Sequence, residues 1–224
     1  MPTTDAGRLP TMGKPDSAPG DGLSLQAVIE SARRLDELSC ARAIGNVALA
    51  VHTAQKGGQP LATLTPSAII LSADGDVKFI PGTGTGSPRY AAPEMLRGGT
   101  GDRRSDVFAL GAVLWEALAH DRLFDGASDD AIKQAVLHFA FRPPSELNAN
   151  VPAELDAICK KALARDPADR YQSAKVMAAE IDAVLDDAGY PESNEQIASY
   201  VTKLLAAAAA APPSPRRPAT KPPV

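Results

Sequence analysis

The 224-residue sequence is poor in the residues that build metal sites, disulfides and basic surfaces. Its two cysteines, Cys40 and Cys159, are far apart in the sequence, so we expect neither a metal knuckle nor a redox pair. We expect a reduced, cytoplasmic setting instead. The three histidines lie outside any cluster of cysteines or carboxylates, so we predict no metal site and no cofactor. A formal net charge of −4 excludes a general attraction to nucleic acid.

A long apolar run is also absent. The longest uninterrupted one covers residues 204–211, whereas a membrane-spanning helix needs roughly 18 residues or more. The first residues are polar and do not resemble a secretory signal. We therefore expect no contact with a membrane.

Composition divides the chain into three parts. Residues 1–22 mix Pro, Gly, Ser, Thr and Asp without apolar periodicity, which predicts a disordered arm. Residues 23–205 are long enough for one domain with a buried core. Residues 206–224 form a tail of alanine followed by Pro, Arg and Lys. Its two PxxP matches leave open a polyproline ligand or a plain solvated tail.

Within the central part, apolar spacing predicts mostly helices. Helical periodicity runs from Leu25 to Leu35 and again from Ile44 to Val51. Residues 69–71 and 77–80 read as two short strands joined by an Asp-Gly turn, which makes a small β-hairpin. Residues 106–118 are apolar on nearly every face and predict a buried central helix, followed by four amphipathic, more peripheral helices.

Three motifs then occur in a familiar order. They are Ser87-Pro88-Arg89-Tyr90-Ala91-Ala92-Pro93-Glu94, the segment opening Ser105-Asp106-Val107-Phe108, and Asp166-Pro167-Ala168-Asp169-Arg170-Tyr171. Together with the helix, helix, hairpin order they resemble the C-terminal lobe of bacterial serine/threonine protein kinases. The resemblance implies a mainly α, kinase-like large lobe with one β-hairpin and without the small lobe. It also implies that three residues are structural anchors. Glu94 and Arg170 would form a buried ion pair, and Asp106 would brace the backbone of the catalytic loop.

The departures from this family fall at the positions that carry its chemistry. Kinases use H-R-D-x-x-x-x-N for the catalytic base and one magnesium ligand, and D-F-G for the other ligand. Aligned on Pro66, the chain has Thr63 in place of the catalytic Asp, Thr65 in place of a Lys and Ala68 in place of the Asn. Pro81 stands where the D-F-G aspartate belongs. We therefore predict a degenerate, catalytically inactive kinase homologue.

The segment Gly82-Thr83-Gly84-Thr85-Gly86 follows the second strand. It lacks the lysine of a phosphate-binding P-loop and the third glycine of GxGxxG, so nucleotide binding there is a weak alternative. A glycine-shortened loop is the plainer interpretation. Thr83, Thr85 and Ser87 are candidate phosphoacceptors for another kinase, because a phosphate beside Arg89 could order the loop.

Three functional hypotheses follow. The first is a pseudokinase module for interaction or regulation that binds a protein partner, such as an active kinase, through the surface a small lobe would cover. The second is a split or atypical kinase that needs a small lobe from another chain, or that uses Asp74 or Asp76 for metal. The third is a truncated product without function.

Overall fold

The computed structural model describes residues 22–55, 60–61, 64–81 and 87–210. Eight α-helices and three strands make up this part of the chain, so the predicted mainly α fold class is confirmed. The helices are α1 Leu25–Ile29, α2 Glu37–Ala54, α3 Pro93–Leu96, α4 Arg103–Ala119, α5 Asp129–His138, α6 Ala153–Ala162, α7 Ala174–Asp187 and α8 Glu195–Ala210. The strands are β1 Gly22–Ser24, β2 Ile69–Ser72 and β3 Val77–Phe79. None of the helices in the described ranges is long and apolar enough to cross a membrane.

Helix α4 is the centre of the core. Every side chain from residue 105 to residue 119 is buried, as expected for a helix that is apolar on all faces. Asp102 caps its N-terminus in a capping box with Ser105, which satisfies amides that the first turn leaves without partners. Helices α2, α6 and α7 pack around α4, and α2 and α7 pack closely against each other.

The predicted hairpin is part of a larger sheet. Strands β2 and β3 pair antiparallel, with Ile69 opposite Phe79, and the turn between them contains Gly75 at φ 88°. Strand β1 adds a third antiparallel strand on the other side of β2. The sequence did not indicate β1, because three residues are too few to show an alternating pattern.

One predicted helix boundary is wrong. The first helix ends at Ile29 instead of continuing to Leu35, which lies beyond the helix but is still buried, with 2% of its surface exposed. Helix α8 continues to Ala210, five residues past the predicted end of the domain at residue 205, because alanine is the best helix former. Gly22, assigned to the arm, is the first residue of β1. The rest of the arm, residues 1–21, and the tail from residue 211 lie outside the described residues.

Candidate functional site

Asp106, in the first turn of α4, holds the segment that precedes β2. Both of its carboxylate oxygens accept the Leu61 N–H at 2.9 Å, and one accepts the Gln55 side-chain amide at 2.6 Å. Burial raises the pKa of Asp106 to about 6, although these hydrogen bonds oppose the rise. The carboxylate thus fixes a backbone amide of the segment that precedes β2.

One hydrogen bond links the two segments that carry Ala68 and Pro81, the positions that align with the magnesium ligands of kinases. The N–H of Ile80, the residue before Pro81, donates to the carbonyl oxygen of Ala68 at 2.8 Å. Ala68 is fully buried, with 0% exposure. Neither a methyl group nor a pyrrolidine ring supplies the side-chain oxygen that Mg²⁺ requires. The frame formed by Ala68, Ile80 and Pro81 therefore offers no side-chain oxygen to magnesium or to a magnesium-bound nucleotide.

Thr65 and Ser87 line one small cavity beside this frame. The cavity has a volume of about 80 Å³, and Tyr90, Met95 and Ser105 also line it. The Thr65 hydroxyl lies 2.9 Å from the Ser67 hydroxyl, and Ser87 accepts the Arg89 N–H at 3.4 Å. Ligand pockets usually have a volume of roughly 300 Å³ or more, so this space is too small for a nucleotide.

Some of the predicted site residues lie outside the described residues. These are Thr63 at the catalytic-base position and the candidate phosphoacceptors Thr83 and Thr85. Their roles stay predictions made from the sequence, as does that of Ser87 as a phosphoacceptor. Among the described residues, no group of three or more His, Cys, Asp or Glu side chains could hold a metal ion.

Asp74 and Asp76, the alternative metal ligands, occupy the turn at the far end of the hairpin. Ala68 precedes β2 and the turn follows it, so about four residues at ~3.3 Å each separate the turn from the magnesium positions. The Asp74 carboxylate accepts the Asp76 N–H within the turn at 3.3 Å. The structure does not bring these carboxylates to the frame formed by Ala68 and Pro81.

Arg170 and Glu94 form a bidentate ion pair. The two terminal nitrogens of Arg170 donate to the two carboxylate oxygens of Glu94, each at 2.8 Å. The Ser105 hydroxyl also donates to Glu94 at 2.7 Å. Burial raises the pKa of Glu94, but the hydrogen bonds from Arg170 and Ser105 lower it, and the net pKa lies below the ordinary value. The pair ties α3 to the turn that precedes α7.

A second buried polar contact was missed by the sequence reasoning. The Tyr90 hydroxyl donates to Glu116 at 2.8 Å, and the Leu123 N–H donates to the other carboxylate oxygen at 3.2 Å. Glu116 has 1% of its surface exposed, and its burial raises its pKa. The available signal was a single Glu inside an otherwise apolar helix, which needs a buried partner. This contact fixes the Pro88–Tyr90 turn on α4.

Residues 70–181 match the protein kinase domain family, which is 112 of the 224 residues. The chain is 37% identical over 151 residues to the tyrosine-protein kinase MasK of Myxococcus xanthus, covering 59% of this chain and 23% of MasK. It is 44% identical over 96 residues to the serine/threonine-protein kinase PknB of Mycolicibacterium smegmatis, covering 43% of this chain and 15% of PknB.

The fold comparison agrees. The crystal structure of the Mycobacterium tuberculosis PknI kinase domain superposes with a TM-score of 0.57 at 25% identity, covering 73% of this chain and 62% of that one. The chain spans less than a third of the length of MasK and of PknB. Because the family match covers half of the chain, the chain belongs to the protein kinase domain family, and the relatives it resembles are bacterial.

Proposed function

We propose that this chain is a kinase-family domain that does not transfer phosphate and acts by binding a protein partner, such as an active protein kinase. The observation that carries the first part is the Ile80 to Ala68 hydrogen bond of 2.8 Å. It keeps the two magnesium positions adjacent while neither Ala68 nor Pro81 supplies a ligand. Loss of the general base at Thr63 alone would lower the rate by ~10²- to 10⁴-fold.

Partner binding is supported by the contrast between two sets of residues. Those that hold the fold together, Glu94, Asp106 and Arg170, keep dense hydrogen bonding. Those that would perform chemistry are replaced. A folded, non-catalytic domain of this kind contributes to a cell through the surfaces it offers to other proteins.

The first experiment measures phosphate transfer and nucleotide binding together. The purified chain is incubated with radiolabelled ATP, magnesium and a generic protein substrate, and its melting temperature is recorded with and without Mg-ATP. We expect no labelled product and no shift in melting temperature. The control variant carries Thr63→Asp, Thr65→Lys, Ala68→Asn and Pro81→Asp, the residues that kinases have at these positions. Transfer by the natural chain, lost on Asp74→Ala or Asp76→Ala, would refute the proposal and favour an atypical kinase.

The second experiment tests the partner. The purified chain is mixed with each purified serine/threonine kinase domain of its own proteome and analysed by size-exclusion chromatography with light scattering. We expect a stable 1:1 complex with at least one of them, with a Kd of about 1 μM or lower, equivalent to ~8 kcal/mol. If every kinase domain elutes separately from the chain at tens of micromolar concentration (roughly tenfold above that Kd), the partner class is wrong.

A further inference from the structure

Helix α8 follows the residues that match the kinase family and lies across strand β2 and helix α2. Ile197, Val201 and Leu205 recur every fourth residue and therefore share one face of the helix. Ile197 and Val201 are completely buried, with 0% exposure, and Leu205 is half-buried. The body of the domain thus presents a groove that accepts an amphipathic helix.

The attachment of α8 is sparse compared with that of its neighbours. Two of its 16 residues are buried, whereas α7 buries five of 14. Two of its flanking hydrogen bonds are long: the Thr202 hydroxyl donates to the Ala73 carbonyl at 3.5 Å, and the Asn46 amide donates to Asn194 at 3.4 Å. The Tyr200 hydroxyl makes a shorter bond to the Arg33 carbonyl, at 2.5 Å, at the exposed edge. Elements with few buried contacts open first in native proteins.

One flank of α8 is also left unpacked. A cleft of about 530 Å³ separates α8 from the loop that precedes α2. On the α8 side, Glu195, Ser199 and Lys203 line this cleft. Solvent therefore reaches this flank of the helix, and the attachment of α8 depends on the face that carries Ile197 and Val201.

We propose that the surface formed by β2 and α2 under α8 is a helix-binding groove and that α8 occupies it as a reversible strap. The pattern that the groove accepts follows from α8 itself: aliphatic side chains at positions i, i+4 and i+8, matching Ile197, Val201 and Leu205. The strap and the groove do not depend on the proposed partner binding.

The first test is hydrogen exchange measured by mass spectrometry on the full chain. In the natural chain, the amides of α8 should exchange at least ~10²-fold faster than those of α2 and α4, because local undocking precedes global unfolding. The double variant Ile197→Asp, Val201→Asp should remove protection from α8 and raise exchange in the β2–β3 turn, leaving α4 unchanged. Each buried aliphatic side chain accounts for ~10- to 100-fold of the docking equilibrium.

A matched control adds the same two charges to the exposed side of the helix. Ser199 and Ala206 are exposed, so Ser199→Asp, Ala206→Asp should leave α8 protected as in the natural chain. Equal protection of α8 and α4 in the natural chain would overturn the proposal. So would loss of protection throughout the chain in the Ile197→Asp, Val201→Asp variant, because α8 would then be an integral part of the core.

The second test supplies the helix in trans. A fluorescent peptide of residues 193–210 should bind the Ile197→Asp, Val201→Asp variant at least ~10-fold more tightly than the natural chain, in which the tethered α8 competes at a millimolar effective concentration. A peptide carrying the two aspartates should not bind either protein. If the natural peptide fails to bind the opened variant, the groove is rejected. Because phosphate transfer is measured separately, that result would leave the proposed lack of catalysis standing.

Discussion

Replacing Arg170 by alanine tests a buried side chain that has five hydrogen-bond acceptors among the described residues. Only 2% of its surface is exposed. Its five N–H groups donate to five acceptors: the two carboxylate oxygens of Glu94 and the carbonyl oxygens of Ala164, Arg104 and Arg165, at 2.7 to 3.1 Å. Its guanidinium also lies 5.0 Å from the centre of the Phe108 ring.

The expected loss can be bounded from these contacts. Arg170→Ala removes one donor from each of three backbone carbonyls and leaves Glu94 with Ser105 as its remaining side-chain partner. Breaking a buried pair by removing one member costs ~3–5 kcal/mol. The upper half of that range is less expected, because 22% of the Glu94 side chain is exposed and water can replace part of the lost bonding. We therefore expect about 3 kcal/mol, a large share of the ~5–15 kcal/mol that stabilises a typical domain.

The assay is urea unfolding followed by circular dichroism, in which the midpoint should fall while the slope stays constant. The control is Arg142→Ala, which breaks an exposed pair with Glu146 whose side chains are 54% and 53% exposed. That pair should contribute no more than ~0.5 kcal/mol. A loss below ~1 kcal/mol for Arg170→Ala would show that the buried pair does not hold α3 to the turn before α7.

The same pair fixes a direction of pH dependence. The folded pKa of Glu94 lies below its unfolded value of 4.5. The stability that Glu94 contributes is therefore fully present above pH 4.5 and is lost as the pH falls through the folded pKa. In Arg170→Ala this acid-induced loss should shrink, and parallel melting curves between pH 3 and pH 6 would measure the difference.

Four further substitutions test other contacts. The pKa of Asp106 is about 6 in the folded protein and 3.8 in the unfolded chain. Between these two values the folded protein binds more protons than the unfolded chain, so the free energy of unfolding should fall by up to ~3 kcal/mol as the pH rises from about 4 to 6. Asp106→Asn should abolish that slope in pH-dependent denaturation. Tyr90→Phe should cost ~1–3 kcal/mol in urea unfolding by leaving buried Glu116 short of a donor. Gly111→Ala should cost ~1–3 kcal/mol, because its new carbon would lie 2.7 Å from α6. Gly45→Ala, with its nearest neighbour at 3.4 Å, should instead gain up to ~1 kcal/mol in the same assay; equal losses at both glycines would contradict the packing argument.

The parts of the fold that the sequence predicted are those specified by local patterns. A helix that is apolar on nearly all faces, as α4 is, is expected at the centre of the core. The Asp-Gly step between two apolar runs sets the hairpin turn at Gly75. The missed features depend on partners distant in sequence. Strand β1 exists because Leu23 pairs with Leu71, 48 positions away, and Leu35 is buried by elements that its own neighbours do not reveal.

The candidate site divides in the same way. Substitutions at Ala68 and Pro81 could be found by aligning motifs, because each replaces one residue type that the chemistry needs. The hydrogen bond from Ile80 to the Ala68 carbonyl could not, since it depends on how the hairpin places two backbone groups. Nor did the sequence indicate that Arg170 serves three carbonyls besides Glu94.

The two kinds of position also differ in what a substitution costs the fold. An Asn to Ala change at position 68 leaves a methyl group that is buried without strain or an unpaired donor, so such a change removes chemistry at little cost in stability. A change at Asp106 or Arg170 leaves buried groups unpaired, which costs several kcal/mol. A chain under no selection would accumulate both, because nothing would remove the unstable variants. The proposed function, partner binding without phosphate transfer, therefore requires the buried contacts of Asp106 and Arg170 but no magnesium ligand at positions 68 and 81.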